Sequence, residues 1–192
     1  MGATRVIHAG LRRAAVALLG VLLACGAHAE DRRFAIRNAF VEPVADVWQL
    51  NAIIELGLSE AAQEALGEGI PLTMVLEVLV TRERSFLPDT DVAELQQRWR
   101  LAFDALSERY VATNLNSGAQ ATYATLDEAL DSLSRVRGLP IIDAALLETG
   151  VRHDVSLRVS VEIGGLPDAV KLLIFWRDWT RTTEWYTWSI RP

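Results

Sequence analysis

Residues 151–163 read VRHDVSLRVSVEI, and a hydrophobic side chain or the histidine occupies every second position of this stretch. Successive side chains of a β-strand point to opposite faces, so this pattern predicts a strand with one buried and one exposed face. The residues on the predicted buried face are Val151, His153, Val155, Leu157, Val159, Val161 and Ile163.

Two earlier stretches alternate in the same way. Residues 47–58 place Trp48 and every second residue to Leu58 on one face, which predicts a half-buried strand. We expect it to pair with residues 34–41 across a turn at residues 43–46, with Phe40 opposite Trp48 and Ile36 opposite Ala52. Residues 72–81 carry apolar side chains on both faces, which favours a central strand.

Residues 92–114 fit two patterns. An apolar stripe at helical spacing runs through them, and an alternating strand pattern fits equally well. We favour two strands with a break near Leu106 and Ser107. If the first of these strands pairs with residues 72–81, Val78 lies beside Leu101 and Val80 beside Trp99.

Two short helices interrupt the strands. Ser59 is placed to cap a helix that ends near Gly67 and Gly69. Thr125 and Glu128 form a capping-box pattern that opens a second helix, which we expect to end at Gly138 and Pro140. Residues 141–149 look irregular or briefly helical. The predicted fold is α+β and β-dominated, an antiparallel β-sandwich-like sheet with two or three short helices.

The C-terminal stretch, residues 172–190, reads LLIFWRDWTRTTEWYTWSI and holds four of the six tryptophans. Aromatic rings make large contributions to burial, so we expect this stretch to complete the core as a terminal strand or pair of strands. Tyr186, Trp188 and Ile190 would form its buried face. Trp176 and Trp185 are then left as candidate binding residues for a sugar or lipid, although core packing is the commoner use of tryptophan.

The N-terminus has the composition of a secretory signal peptide. A basic head precedes the apolar run AAVALLGVLLA, and a small-x-small site follows at Ala27 and Ala29. We predict a signal peptide at residues 1–29 with cleavage after Ala29, and a single β-rich domain at residues 30–192. The alternative is lipidation of Cys25, because Leu22-Leu23-Ala24-Cys25 resembles a lipoprotein box.

The predicted mature chain is acidic, with 16 basic and 25 acidic residues. This balance argues against nucleic acid as a partner. We expect no transmembrane span after cleavage, a periplasmic location and an envelope protein as partner. Cys25 is the only cysteine, and His153 is the only histidine after residue 28. We therefore expect no metal site, no cofactor and no catalytic residues.

Two arginines and the histidine are the charged or titratable candidates. Arg82 and Arg84 continue the apolar face of the strand at residues 72–81, where they would bind an anionic group or pair with local acids such as Glu94. His153 lies among valines, and Asp154 beside it points to the opposite face. We predict a structural role for His153, because a catalytic histidine needs an oriented partner.

The order and spacing of several short motifs resemble a family of small exported Gram-negative bacterial proteins, catalogued as a domain of unknown function. The resemblance covers nearly all of the predicted mature chain. It implies an envelope signalling context, since the family's genes often lie near a nitrogen-regulation-like sensor kinase and an RNA methyltransferase. The motifs are Glu64-Ala65-Leu66 with Gly69-Ile70-Pro71-Leu72, Arg82-x-Arg84, Leu101-x-Phe103 through Arg109-Tyr110 to Asn114, Leu126-x-x-Ala129-Leu130, Leu166-Pro167, Trp179 and Trp185-x-x-Trp188.

Two functions follow as hypotheses. The first is a non-catalytic periplasmic interaction module, accessory to a membrane signalling or envelope system. The second is a periplasmic carrier for an apolar or glycan ligand. The carrier requires an apolar pocket of several hundred Å³ on the order found in ligand-binding proteins. The module requires a filled core and an exposed strand edge or patch that faces a partner.

Overall fold

The computed structural model describes residues 33–84, 86, 88–163 and 180–192. Ten strands are found in these ranges, with two α-helices and one 3-10 helix between them. The elements are β1 (Phe34–Val44), β2 (Val47–Leu56), α1 (Glu60–Gly67), β3 (Leu72–Arg82), β4 (Thr90–Asp104), β5 (Arg109–Asn114), β6 (Gln120–Tyr123), α2 (Leu126–Leu133), β7 (Arg135–Asp143), the 3-10 helix Ala144–Leu146, β8 (His153–Ile163), β9 (Arg181–Thr182) and β10 (Tyr186–Ile190).

The strands form two antiparallel sheets. The small sheet has the order β1-β2-β7, and the large sheet has the order β10-β8-β3-β4-β5-β6, with β9 added beside β8. This confirms the predicted β-dominated antiparallel fold with short helices. Strand β3 lies between β8 and β4, so the prediction that it is central is also confirmed.

One hydrophobic core is enclosed by the inner faces of the two sheets. The even-numbered residues of β2, those of β3 from Leu72 to Val80, and the odd-numbered residues of β8 from His153 to Val161 point into it, as their alternation predicts. Leu50, Leu76 and Leu157 are completely buried there. Within the described residues, no helix is long and apolar enough to cross a bilayer.

The predicted pairing of β1 with β2 is wrong by three residues. Pro43, and not Phe40, lies opposite Trp48, and Ala39 lies opposite Ala52. The turn consists of Ala45 and Asp46 alone, and Ala45 adopts a left-handed conformation with φ of 52° that the residue type does not signal. A bulge between Ile36 and Asn38 then reverses the faces of β1, so Phe40 is exposed and Ala39 is buried.

Residues 92–114 form two strands, as favoured, but the predicted pairing of β3 with β4 is wrong. Val78 lies opposite Leu95, while Leu101 lies opposite Leu72. Strand β4 begins as early as Thr90, directly after the connecting loop. The six-residue difference is even, so each side chain keeps its predicted face although its neighbour changes.

The second helix is shorter than predicted. The capping box of Thr125 and Glu128 is present, but α2 ends at Leu133 and does not reach Gly138 or Pro140. Both of these residues lie in β7 instead. Gly138 has φ of +58° and Pro140 has no N–H, which a strand at the edge of a sheet tolerates. The brief helix expected in residues 141–149 is the 3-10 turn Ala144–Leu146.

The terminal strand is β10, and it has the predicted faces. Tyr186, Trp188 and Ile190 pack against the core, while Trp185 is exposed. The candidate binding residue Trp176 lies outside the described residues, as does Trp179.

The β4–β5 turn contains an aspartate that stabilises it only when ionised. The carboxylate of Asp104 accepts hydrogen bonds from the backbone N–H groups of Ser107, at 2.9 Å, and Leu106, at 3.0 Å. The backbone hydrogen bond from Ser107 is the largest of the causes that lower the pKa of Asp104 below its ordinary value.

We therefore expect the carboxyl carbon of Asp104 to titrate in a ¹³C NMR experiment below the ordinary range of aspartate. Because the folded pKa lies below the unfolded one, the stabilisation is complete at neutral pH and is lost as the pH falls through the folded pKa. The variant Asp104→Asn is the control, and its stability relative to the parent chain should recover in acid. A stability difference that stays constant on acidification contradicts this role of the carboxylate.

Candidate functional site

Of the two arginines that are candidates for binding an anionic group, Arg82 already has an acidic partner within the chain. Arg82 donates a hydrogen bond to Glu148 at 2.8 Å, so a carboxylate from the loop before β8 already neutralises it. The backbone N–H of Arg84 donates to Asp89 at 3.3 Å, within the β3–β4 loop. Arg82 thus pairs with an acid of the chain itself, which was the second of its two predicted roles. The acid is Glu148, however, and not Glu94.

Trp185 lies on the outer face of the large sheet with 42% of its surface exposed. The guanidinium carbon of Arg158 is 4.4 Å from the centre of its ring, a cation–π contact. Arg158 in turn donates to Glu77 at 2.8 Å through Nε. The indole of Trp185 therefore covers the ion pair between Arg158 and Glu77 on the sheet surface. The other candidate tryptophan, Trp176, lies outside the described residues.

His153 is completely buried on the inner face of β8. Its Nδ1 is 3.0 Å from the backbone oxygen of Val151, so Nδ1 carries the proton and donates. Its Nε2 has no hydrogen-bond partner among the described residues. Asp154 points to the opposite face, where Arg152 donates to it at 3.2 Å. His153 therefore has no carboxylate partner, and no group of three or more metal-binding side chains occurs among the described residues.

The interior between the sheets holds almost no free space in the described part of the chain. The apolar void beside Leu72, Met74 and Leu101 has a volume of about 10 Å³. A void of this size is at the lower limit for a single water molecule. This void is far smaller than the apolar pocket of several hundred Å³ that the carrier hypothesis requires.

An open groove lies at one side of the molecule, where the large sheet extends beyond the small one. It has a volume of about 440 Å³ and separates β6 and the end of β5 from β7, with α2 at one end. We call it the β6–β7 groove. Its apolar lining comprises Trp99, Ala112, Ala119, Ala121, Tyr123, Leu133, Val136, Leu139 and Pro140, and its polar lining comprises Asn114, Gln120, Ser132, Arg135, Arg137 and the backbone of Gly138.

Small side chains create the space in the groove. Ala112 and Ala121 are cross-strand neighbours on β5 and β6, and Ala119 precedes them at the turn. Ala119 and Ala121 are alternate residues and share a face, and Ala112 lies directly opposite Ala121. The methyl groups of all three therefore lie on the face of the large sheet that faces β7. The hydroxyl of Tyr123 is 2.7 Å from that of Ser132, which ties the end of β6 to α2 and fixes one wall.

The two arginines of the groove differ in their electrostatic state. Arg135 donates two hydrogen bonds to the carboxylate of Asp131, at 2.6 and 2.7 Å, so its charge is compensated. Arg137 is exposed and forms no ion pair with a described residue. The carboxylate of Glu128 accepts from the backbone of Ala124, 3.0 Å away, as part of the helix cap. The groove of this acidic chain therefore presents one uncompensated positive charge.

A family model described as a domain of unknown function, DUF4390, matches residues 31–189. The chain belongs to the DUF4390 family. The match covers nearly all of the predicted mature chain, in agreement with the resemblance noted from its motifs. No curated protein and no solved structure matches the chain.

The groove of this DUF4390 domain was not predicted from the sequence. Its β7 wall was assigned to a helix end because Gly138 and Pro140 are typical helix terminators. One signal was available, since residues 115–124 contain no charged side chain in a chain that is otherwise rich in charge. An uncharged, alanine-rich hairpin at a sheet edge indicates a surface that excludes water on contact with another molecule.

Proposed function

We propose that this DUF4390 domain is a non-catalytic interaction module of the bacterial periplasm. In this proposal, residues 1–29 direct export and are removed, and the β6–β7 groove receives an extended segment of an envelope protein. The module acts as an accessory to a membrane signalling or envelope system. Its location, its export and the identity of its partner are all part of the proposal.

The observation that carries the proposal is an open groove beside the edge of β6, with which no described strand pairs, on a domain whose described interior is filled. A groove of about 440 Å³ is large enough for a few side chains of an extended segment. Its lining combines apolar contact surface with a small number of polar groups, as binding clefts commonly do. Trp99 and Tyr123 are of the residue types that supply most of the binding energy in protein interfaces.

The carrier function has less support. A carrier encloses its ligand, and the described interior has a void of only about 10 Å³. The groove is open to solvent along its outer side, and an open groove suits an extended segment that passes across it. An apolar or glycan ligand remains an outcome that the experiment below distinguishes.

Site-specific photo-crosslinking in living cells tests the proposal. A photoreactive amino acid replaces Ala119 at the rim of the groove, and the matched control places it at Leu106, which is 98% exposed at the tip of the β4–β5 turn. We expect a discrete protein adduct from position 119 and none from position 106. Cell fractionation should find the chain in the periplasm, with Glu30 as its first residue.

Each alternative predicts a different outcome. Adducts of lipid or glycan mass at position 119, without a protein adduct, favour the carrier. Equal adducts at both positions indicate non-specific contact and contradict the groove as the binding site. A cytoplasmic chain that retains residues 1–29 contradicts the location.

A further inference from the structure

The hydrogen-bond pattern of the large sheet identifies which backbone groups of β6 are free. The N–H of Leu115 donates to the oxygen of Arg98 on β4, and the N–H of Asn114 donates to the oxygen of Ala119, both at 2.8 Å. Bonded pairs alternate along an antiparallel ladder. The even-numbered residues of β5 therefore bond to β6, and their partners on β6 are Ala121 and Tyr123. Gln120 and Thr122 direct their N–H and C=O groups away from β5, towards the open edge.

The other sheet edges carry features that prevent strand addition. Strand β1 has the bulge at Arg37 and Pro43, and β7 has Pro140 and the left-handed Gly138. Strand β10 lies beside β1 of the other sheet and is followed by Arg191 and Pro192. Charges, prolines and bulges are among the means by which proteins protect their edges, and so is a very short strand. Strand β6 has four residues but no charge, proline or bulge, and no described strand pairs with its outer edge.

We propose that the partner adds a β-strand to the edge of β6, and that this strand belongs to an extended, acidic segment of another protein. The inference rests on the proposed function and specifies how the groove is used. Backbone groups of the incoming strand bond to Gln120 and Thr122. Its alternate side chains point into the β6–β7 groove, above the methyl groups of Ala119 and Ala121.

The charge of the groove selects the chemistry of the segment. Arg135 is compensated by Asp131, while Arg137 on the same groove is not compensated by a described residue. A carboxylate of the incoming segment supplies the missing partner for Arg137 and forms a bidentate pair with its guanidinium. A basic segment would place like charges together and bind less tightly. The neighbouring alanines favour apolar residues at the positions that point into the groove.

Proline substitution tests strand addition directly. Thr122→Pro removes a backbone N–H that points to the free edge, and the ladder between β5 and β6 does not use that N–H. Thr122→Val is the matched control, because it loses the hydroxyl but keeps the N–H. The probe is a phage-displayed library of random ten-residue peptides, selected on the mature chain, followed by synthetic copies of the enriched sequences.

We expect the enriched peptides to contain acidic residues and to bind the parent chain and Thr122→Val equally. Thr122→Pro should bind about tenfold more weakly, and lysine in place of the peptide's acid should also weaken binding about tenfold. Arg137→Ala should remove this preference for acid over lysine. Hydrogen exchange of the Gln120 and Thr122 amides should become slower in the complex. Binding through side chains alone would not slow the exchange of these amides.

Several outcomes overturn strand addition and leave the proposed function standing. One is peptide binding that Thr122→Pro does not change, and another is a library without enrichment while the crosslink at position 119 still forms. Failure of both experiments contradicts both proposals. If Thr122→Pro does not fold, peptides N-methylated at alternate positions remove the same hydrogen bonds from the other side, and their undiminished binding overturns the inference. A dimer that Thr122→Pro dissociates would make a second copy the occupant and would equally overturn it.

Discussion

Replacing Leu157 by alanine is expected to lower the free energy of unfolding by about 2–5 kcal/mol. Leu157 is completely buried at the middle of β8, between Val78 of β3 and Tyr186 of β10. Its side chain fills the space between the two sheets, where the described voids are very small. Alanine removes apolar contacts and leaves a cavity that strands held on both sides cannot close, and both effects destabilise the fold.

Urea denaturation of the mature chain measures this effect, and Leu106→Ala is the matched control. The same atoms are removed at Leu106, but that residue is 98% exposed at the β4–β5 turn, so its loss should change stability by less than about 0.5 kcal/mol. If the two variants were equally stable, the core would not lie on the inner face of β8. A large effect of Leu106→Ala would instead show that the turn is covered in solution.

The faces of the strands could be predicted from the sequence because the side-chain period of a strand is two. This held for β8, where alternate residues from His153 to Val161 are buried, and for β10, where Trp188 is internal and Trp185 external. A face depends only on the parity of a residue within a regular strand, and the bulge in β1 is the exception. The face therefore survives an error in pairing, as the six-residue error between β3 and β4 shows.

Pairing could not be predicted because it depends on local backbone conformation at turns and bulges. The turn at Ala45 and Asp46 requires a left-handed alanine, and the bulge beside Arg37 follows no residue preference. Gly138 and Pro140 led to a different error, the prediction that the second helix extends to them. They are typical of a helix end, and only the pairing of β7 with β2 shows that they belong to a sheet edge.

The candidate site was beyond prediction for a related reason. The sequence identified Arg82 as a cation at a strand end, but Glu148 lies 66 residues away and reaches it only through the fold. The β6–β7 groove likewise joins Trp99 of β4 to Leu139 of β7. The absence of charge in residues 115–124 marks one wall in the sequence, but the groove forms only where β7 supplies the opposite wall.

Replacing Ala121 by leucine is expected to reduce the crosslink from position 119 by about tenfold or more. Ala121 is exposed on the floor of the groove, and it belongs to the face on which an incoming strand would place its side chains. A leucine there occupies that space and forces the bound segment outwards. Loss of a hot-spot contact at the centre of an interface costs about 2 kcal/mol or more, which corresponds to a factor of more than ten in affinity.

The fold should tolerate this change, since the leucine has an open groove to enter and no packed neighbour to displace. The free energy of unfolding, measured by urea denaturation, is therefore expected to stay within about 0.5 kcal/mol of that of the parent chain. Ala105→Leu is the matched control, because Ala105 is exposed in the β4–β5 turn, away from the groove. Equal loss of the adduct in both variants would indicate a general effect of added apolar surface. An undiminished adduct in Ala121→Leu would mean that the partner passes the rim at Ala119 without entering the groove.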